Sequence, residues 1–124
     1  MREIYIPPKT ISELLERYKN GERYFVGCDF DDRIYDFRNL NLVEINLSKS
    51  FIVGDFRGAN LSKADLSNSN LKTCDFRQTN LADANFEKSA LCATYFGEAV
   101  FENTNFEGAF YHSHELKKGE TPDW

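Results

Sequence analysis

The sequence predicts an all-β fold in which the chain turns a corner every five residues and winds into stacked coils. Eleven consecutive fifth positions, from Phe56 to Phe106, carry Leu or Phe, and a small residue stands two places before each of them. A period of five matches neither a helix, which repeats about every 3.6 residues, nor a flat strand, which repeats every 2. We expect one large and one small residue of each unit to point inward. Each coil then needs neighbours above and below to bury them.

The repeating unit, small–Asp/Asn–Leu/Phe–polar–polar, resembles the pentapeptide-repeat family. The resemblance covers about residues 28–111, roughly two-thirds of the chain. It implies a right-handed quadrilateral β-helix with four repeats per coil and about four coils. The stretch "SELLERYKNGERYF" near the start also resembles the N-terminal helical cap of pentapeptide-repeat proteins from cyanobacteria.

Two irregular steps interrupt the period upstream of Phe56. The step from Phe30 to Phe37 is seven residues and the step from Ile52 to Phe56 is four, which predicts a small bulge and a tightened corner. A coil of twenty residues then determines which side chains stack. We predict four internal columns: Phe37, Phe56, Phe76 and Phe96; Leu42, Leu61, Leu81 and Phe101; Leu47, Leu66, Phe86 and Phe106; Ile52, Leu71, Leu91 and Tyr111.

Three segments make up one predicted structural domain. Residues 1–27 form an N-terminal cap with one helix at about 11–20, because Thr10 and Glu13 have the spacing of a capping box. Residues 28–111 form the β-helix, and residues 112–124 form a C-terminal tail without periodicity.

The last coil departs from the pattern at the position before the central residue. From 55 to 85 this position is Asp or Asn, but apolar or small residues replace it at four later places: Ala90, Tyr95, Val100 and Phe110. Either the tail covers these residues or they form a subunit or partner interface. We expect the tail to fold back, with Trp124 or Leu116 touching at least one of the last three.

Composition excludes several classes of function. The formal charge is −5, from 15 basic and 20 acidic residues without a basic stripe, so we expect no direct nucleic-acid binding. No apolar run has the length of a membrane span, and the first residues show no signal-peptide core. Three cysteines without CxxC spacing suit free thiols in a reducing compartment. A cytoplasmic location is the expectation.

Catalytic and cofactor motifs are absent from the sequence, so we expect no enzyme activity and no cofactor. The weak metal candidates are Cys92, His112 and His114, since Cys92 and His112 are twenty residues apart and should stack on adjacent coils. Cysteine and histidine are zinc ligands. The competing interpretation is two surface histidines beside an exposed thiol, and we expect no bound metal.

These observations favour a non-enzymatic scaffold that presents its faces to an unidentified protein partner, as a monomer or weak dimer. Two alternatives come from the resemblance. Some family members mimic DNA and inhibit or protect type II topoisomerases, and others are regulatory proteins of cyanobacteria. Mimicry needs dense acidic rows, whereas here Asp55 precedes Arg57 and Asp75 precedes Arg77.

Overall fold

The computed structural model describes residues 4–122. One helix, α1 (Ile11–Lys19), precedes strands β1 (Asp29–Asp36), β2 (Phe51–Asp55), β3 (Phe110–Tyr111) and β4 (His114–Glu115) in this part of the chain. β1 pairs with β2 in parallel, and β3 pairs with β4 antiparallel. Within the same range, the structure has no helix that is long and apolar enough to cross a bilayer.

Single parallel bridges, one per repeat, hold the coils together. From Asp55 onward they join residues twenty apart, as in the bridges from Asp55 to Asp75 and from Asp75 to Tyr95. Upstream, the bridge from Asn41 to Asn60 spans nineteen, because the step from Ile52 to Phe56 lacks one residue. One turn of the coil therefore takes about twenty residues. The β-helix that was predicted from the period of five is confirmed.

A tight turn forms each corner of the coil. The amide of Ala64 donates to the carbonyl of Leu61 at 3.0 Å, and Cys74 donates to Leu71 in the same way at 3.1 Å. The residue two places after each central Leu or Phe adopts a positive φ, which is the signature of a type II turn. Glycine is the usual residue there, yet Lys63 has φ 61° and Thr73 has φ 66°. The sequence pattern did not reveal this strain.

Replacing Lys63 by glycine should stabilise the protein by about 0.5–1 kcal/mol. The left-handed conformation costs a non-glycine residue roughly 1–2 kcal/mol, which exceeds the entropy that glycine loses on folding. Asn68→Gly is the matched control, because Asn68 holds φ 54° and asparagine tolerates this region. Urea unfolding of both variants measures the difference. A destabilised Lys63→Gly variant would contradict the assignment of strain to this corner.

The Asp and Asn residues before the central position brace these turns. The side-chain oxygen of Asn80 accepts a hydrogen bond from the amide of Ala82 at 3.0 Å, and Asn85 accepts one from Glu87 at 2.9 Å. This is an Asx turn, in which a short side chain satisfies the backbone two residues on. The preference for Asp and Asn thus has a local cause, in addition to the solvent exposure that the sequence indicated.

The two irregular steps meet in the pairing of β1 with β2. Phe30 pairs with Ile52 and Tyr35 with Gly54, so residues 31–34 bulge outward opposite Val53. Gly54 is needed at the tightened corner, because a Cβ atom there would lie 2.7 Å from the Phe56 ring.

Large side chains fill the interior of the coil in stacked columns. The rings of Phe37 and Phe56 are parallel with centroids 4.4 Å apart, and Phe76 follows at 5.0 Å and Phe96 at a further 5.3 Å. Of the sixteen residues assigned to internal columns, fifteen are buried. Phe101 differs: it is only partly buried and packs against the core. The backbone hydrogen bonds that join the described part of the tail to the coil go to residues 108–111 and not to the repeat of Phe101.

Small polar residues are accommodated in the interior because their hydroxyl groups donate hydrogen bonds to backbone carbonyls of the preceding coil. The hydroxyl of Thr79 donates to the carbonyl of Phe56 at 2.8 Å, and that of Ser69 donates to Leu47 at 3.0 Å. Among the described residues no buried side-chain nitrogen or oxygen lacks a partner. A hydroxyl at the small position therefore avoids the cost of an unsatisfied polar group.

Helix α1 covers the first coil. Thr10 caps it by accepting the amide of Glu13 at 3.0 Å, while the Glu13 carboxylate accepts the amide of Lys9 at 3.3 Å. Leu14 is fully buried, and the Tyr18 hydroxyl donates to the carbonyl of Val43 at 2.9 Å. The helix ends at Lys19, close to the predicted end, and its apolar side closes this end of the core.

The tail begins with a hairpin that folds back on the last coil. β4 pairs with β3 around a turn in which His112 has φ 58°. Leu116 is 3% exposed and exchanges backbone hydrogen bonds with Gly108 and Ala109, both at 2.8 Å. The described part of the tail is thus ordered against the coil. Trp124, the other residue expected to dock, lies outside the described residues.

Candidate interaction surfaces

Acidic and basic side chains alternate up one side of the coil, and we call this set the acid–base column. It consists of Asp36, Arg38, Asp55, Arg57, Asp75 and Arg77. Each Arg binds the Asp two places before it, as Arg57 binds Asp55 at 2.7 Å. The Nε atom of Arg57 also reaches Asp75 on the next coil at 3.7 Å. The column is therefore a continuous network that joins three coils.

The network lowers the pKa of its carboxyl groups. Hydrogen bonds from Arg38 lower the pKa of Asp36 to about 2. Those from Arg57 lower the pKa of Asp55. Partial burial acts to raise the pKa of Asp75, but the hydrogen bonds from Arg77 outweigh it, and the net shift is downward. All three groups therefore stay ionised and neutralise the arginines, which leaves no acidic row on this side.

Stability should consequently fall as the pH drops from about 4 towards 2. A carboxyl whose pKa is depressed in the folded state binds protons more weakly there than in the unfolded chain, whose pKa is about 3.9. Its contribution is complete above that value and is lost as the pH falls through the folded-state pKa. In urea unfolding at pH 5, 4 and 3, we expect the free energy of unfolding of Asp75→Asn to depend less on pH than that of the wild type. The side-chain oxygen of the new Asn can still accept the backbone hydrogen bond that braces the turn.

Asp65→Asn is the matched control for this prediction. Its carboxylate bonds to the amide and hydroxyl of Ser67, at 3.0 and 2.6 Å, instead of to an arginine. We expect Asp65→Asn to change the pH profile less than Asp75→Asn does. Equal profiles for the two variants would show that the acid–base column does not govern the acid sensitivity.

The acid–base column ends before the last coil. Tyr95 and Gly97 stand where the earlier coils have Asp and Arg, and Tyr95 bridges to Asp75 through its backbone. The guanidinium carbon of Arg77 lies 5.6 Å from the centre of the Tyr95 ring, within the range of a cation–π contact.

The apolar residues that depart from the pattern remain on the surface. Tyr95 is 59% exposed, Phe110 49% and Val100 46%, and Ala90 is partly buried. Within residues 4–122 the tail leaves the first three exposed, while its hairpin pairs with β3 and places Leu116 beside Gly108 and Ala109. Ala90 and Phe110 are joined by a bridge on one side of the coil, with Asn70 and Phe51 next in the same column.

Two grooves of about 610 Å³ each flank the last coil. The first lies between the tail and the coil, and Phe110 and Leu116 line it together with charged residues including Glu87 and Lys88. The second, which we call the Tyr95 groove, lies beside the end of the acid–base column. Its walls are mainly apolar and aromatic, with one cationic side chain, that of Arg77. The lining residues are Arg77, Ala93, Thr94, Tyr95, Phe96, Gly97, Tyr111 and His112.

The weak metal candidates do not converge on one point. The Cys92 thiol donates to the backbone carbonyl of His112 at 3.2 Å, so the predicted stacking on adjacent coils is present. The His114 ring instead faces Glu120 at 3.4 Å. Across residues 4–122, no group of three or more His, Cys, Asp or Glu side chains is placed to hold a metal ion.

The other two cysteines lie inside the coil. Cys28 and Cys74 are buried, and burial raises the pKa of each thiol to about 12. A thiol with such a pKa remains protonated and unreactive at neutral pH. They act as small apolar residues, with the Cys74 thiol bonded to the carbonyl of Ile52 at 3.1 Å.

Sequence reasoning identified the apolar departures but missed the acid–base column as a connected unit. The signal was available, because Asp-x-Arg occurs at 36, 55 and 75, at intervals of one coil. Local spacing shows only the pairing within each unit. The bond from each Arg to the next coil becomes visible once the coils are stacked.

Comparison with known proteins identifies the repeats. A family model described as "Pentapeptide repeats" matches eight copies over residues 54–78 and 79–110. A search of the curated proteins found no match.

Several solved structures are similar to this chain. A pentapeptide repeat protein from Nostoc PCC 7120, alr5209, is 24% identical, with a TM-score of 0.47, and the match covers 94% of this chain and 93% of that one. HetL from the same organism, involved in heterocyst differentiation regulation, is 17% identical, with a TM-score of 0.39 over 75% of this chain and 48% of that one.

A third similar structure is the plasmid-mediated fluoroquinolone resistance protein QnrB1. It is 19% identical, with a TM-score of 0.24, and the match covers 73% of this chain and 72% of that one. The period of five, the bridges between residues twenty apart and the match to the family model agree with one another. Residues 54–110 of this chain are therefore pentapeptide repeats.

Proposed function

We propose that this protein is a non-enzymatic scaffold that binds a protein partner through the last coil. The observation that carries the proposal is the exposure of Tyr95, Val100 and Phe110, three large apolar side chains at the repeat position that holds Asp or Asn from residue 55 to residue 85. The three residues lie in three different columns of the last coil, so a partner would contact more than one side of it. Aromatic residues are frequent anchors in protein interfaces.

The geometry of the coil supports a scaffold rather than an enzyme. We infer that each coil is four-sided and that there are about four coils, since corners recur every five residues and bridges every twenty. A tower of this kind has flat outer sides and an interior filled by Leu and Phe. Catalysis requires polar groups that converge in a concavity, and the grooves at the last coil are lined by apolar groups or by scattered charges.

The charge distribution favours this function over imitation of DNA. Mimicry would need a dense row of negative charge along the tower. On the side with the most regular acids, Asp36, Asp55 and Asp75 are each neutralised by an arginine. A role as a regulator of the cyanobacterial kind is one form that partner binding would take. We place the protein in the cytoplasm, where three unpaired cysteines are stable.

Site-specific photo-crosslinking in the native organism tests the proposal. A benzophenone amino acid at Val100 or Phe110 should capture one discrete protein, because both side chains are exposed on the last coil. The same group at Asn60 or Asn85, on the middle coils, is the matched control and should capture none. Identical products at all four positions, or no product at any, would contradict the proposal.

A further inference from the structure

Arg77 is the one arginine of the acid–base column that has a single carboxylate within the described residues. Arg38 contacts Asp36 at 3.0 Å and Asp55 at 3.9 Å. Arg57 likewise contacts two carboxylates, on its own coil and on the next. Arg77 contacts Asp75 at 2.6 Å and meets the Tyr95 ring on the other side.

The geometry of the earlier coils shows where the second carboxylate would lie. An Asp on the following coil stands 3.7–3.9 Å from the Nε atom of Arg38 or Arg57. At the last coil this place is next to Tyr95. Gly97 has no side chain, and a Cβ atom at this position would lie 3.6 Å from the Arg77 Cγ, so the space beside Arg77 is open. The half-exposed guanidinium therefore remains accessible from the last coil.

The Tyr95 groove opens at the same place. Arg77, Tyr95 and Gly97 belong to its walls, and Ala93, Tyr111 and His112 extend them away from the column. The groove has a volume of about 610 Å³, which is enough for one acidic side chain and one neighbouring apolar side chain. The acidic side chain would lie next to the Arg77 cation.

We propose that the Tyr95 groove binds a short segment of a protein partner in which an acidic side chain precedes an aromatic or aliphatic one. The carboxylate of this segment pairs with Arg77, at the place that Asp75 takes beside Arg57, and the apolar side chain lies against Tyr95 and Ala93. The inference rests on the proposed scaffold function and adds the chemistry of the segment that the scaffold recognises.

Charge selects this occupant over the alternatives. The chain carries a net charge of −5, which opposes both a second copy and a nucleic acid at close range. A peptide with one carboxylate adds a single negative charge, and it places that charge on the cation that has one acidic partner fewer than Arg38 and Arg57. Guanidinium–carboxylate pairs also fix orientation, because the two groups meet in a planar arrangement.

The test uses a matched pair of variants that restore the residues of the repeat. Tyr95→Asp supplies the missing carboxylate from within the chain, as Asp75 does one coil earlier, and removes the aromatic wall. Phe51→Asn replaces an exposed aromatic residue by the residue found at Asn70 in the same column, outside the groove. Both changes introduce residues that the coil already accommodates at equivalent positions, so both variants should fold.

Binding is measured with the full-length protein by NMR titration of an acetylated, amidated peptide of sequence Gly-Ser-Asp-Phe-Leu-Gly. We expect saturable shifts at Tyr95, Gly97 and His112. Tyr95→Asp should weaken binding by about tenfold or more, equivalent to about 1.4 kcal/mol, and Phe51→Asn should leave it unchanged. Replacing the peptide's Asp by Asn should weaken binding to the wild-type protein to a similar extent.

Two results would overturn the proposal. One is an absence of saturable shifts at millimolar peptide, or equal binding by both variants. The other is binding only after removal of residues 123–124, which would make the chain's own end the occupant of the groove. Neither result decides the proposed function, because crosslinks at Val100 and Phe110 report on positions outside the Tyr95 groove.

Discussion

Replacement of Phe76 by alanine is expected to lower the free energy of unfolding by about 3–5 kcal/mol, as truncation of a buried Phe generally does. Phe76 is fully buried and has a stacked ring on each side, Phe56 at 5.0 Å and Phe96 at 5.3 Å. The edge of its ring also meets Phe86 at 5.5 Å. A cavity here interrupts the column in its middle, and the backbone bridges on either side prevent the coils from closing it.

Urea unfolding measures this effect, with Phe51→Ala as the control. Phe51 is the same residue type on the same tower, but its side chain is 53% exposed. We expect the control to change stability by less than about 1 kcal/mol, since less apolar surface returns to water. Equal losses in the two variants would show that stability does not depend on the stacked interior.

Deletion of residues 112–124 is expected to convert the protein into a self-associating form. It removes β4, the antiparallel partner of β3, and it removes Leu116, which is buried with 3% exposure. The amide of Gly108 and the carbonyl of Ala109 lose their partners on Leu116 at the same time. An edge with unpaired backbone groups beside apolar surface is a template for pairing with another chain.

Sedimentation velocity over a range of concentrations checks this result. A deletion of residues 118–124 alone is the informative comparison, because it keeps the hairpin and Leu116 while removing Trp124. If association begins with the shorter deletion, the end of the tail protects the coil. If it begins only with the longer one, the hairpin does so. A sample of the longer deletion that remains monodisperse would refute the capping role of the tail.

The candidate site was predictable from sequence only in part. The substitutions at Tyr95, Val100 and Phe110 stood out because a regular Asp/Asn position makes each exception visible. Their remaining exposure was not predictable, since it depends on the path of the tail. The sequence left both a covering tail and an interface open, and backbone pairing places Leu116 beside Gly108 and Ala109. A pairing of two residues in each strand is too short to leave a pattern in the sequence.

What the sequence by itself determined is the coil and its interior. The period of five set the inward positions, and the coil of four repeats that the family resemblance implies placed Phe56 and Phe76, twenty residues apart, in one column. The core repeats the same contact on every coil, and a repeated contact needs no information from distant parts of the chain. The capping signal at Thr10 and Glu13 was local in the same sense.

The tertiary structure alone decided the properties that arise between coils. Lys63 and Thr73 adopt a left-handed conformation that neither residue prefers, because closure of the coil imposes it and the burial of Leu and Phe outweighs the strain. The reach of Arg57 to Asp75 exists only when one coil lies on the next. The same stacking determines where the acid–base column ends and where the groove lies. Tyr95 leaves Arg77 without a second carboxylate only because Tyr95 stacks on the coil that contains Arg77.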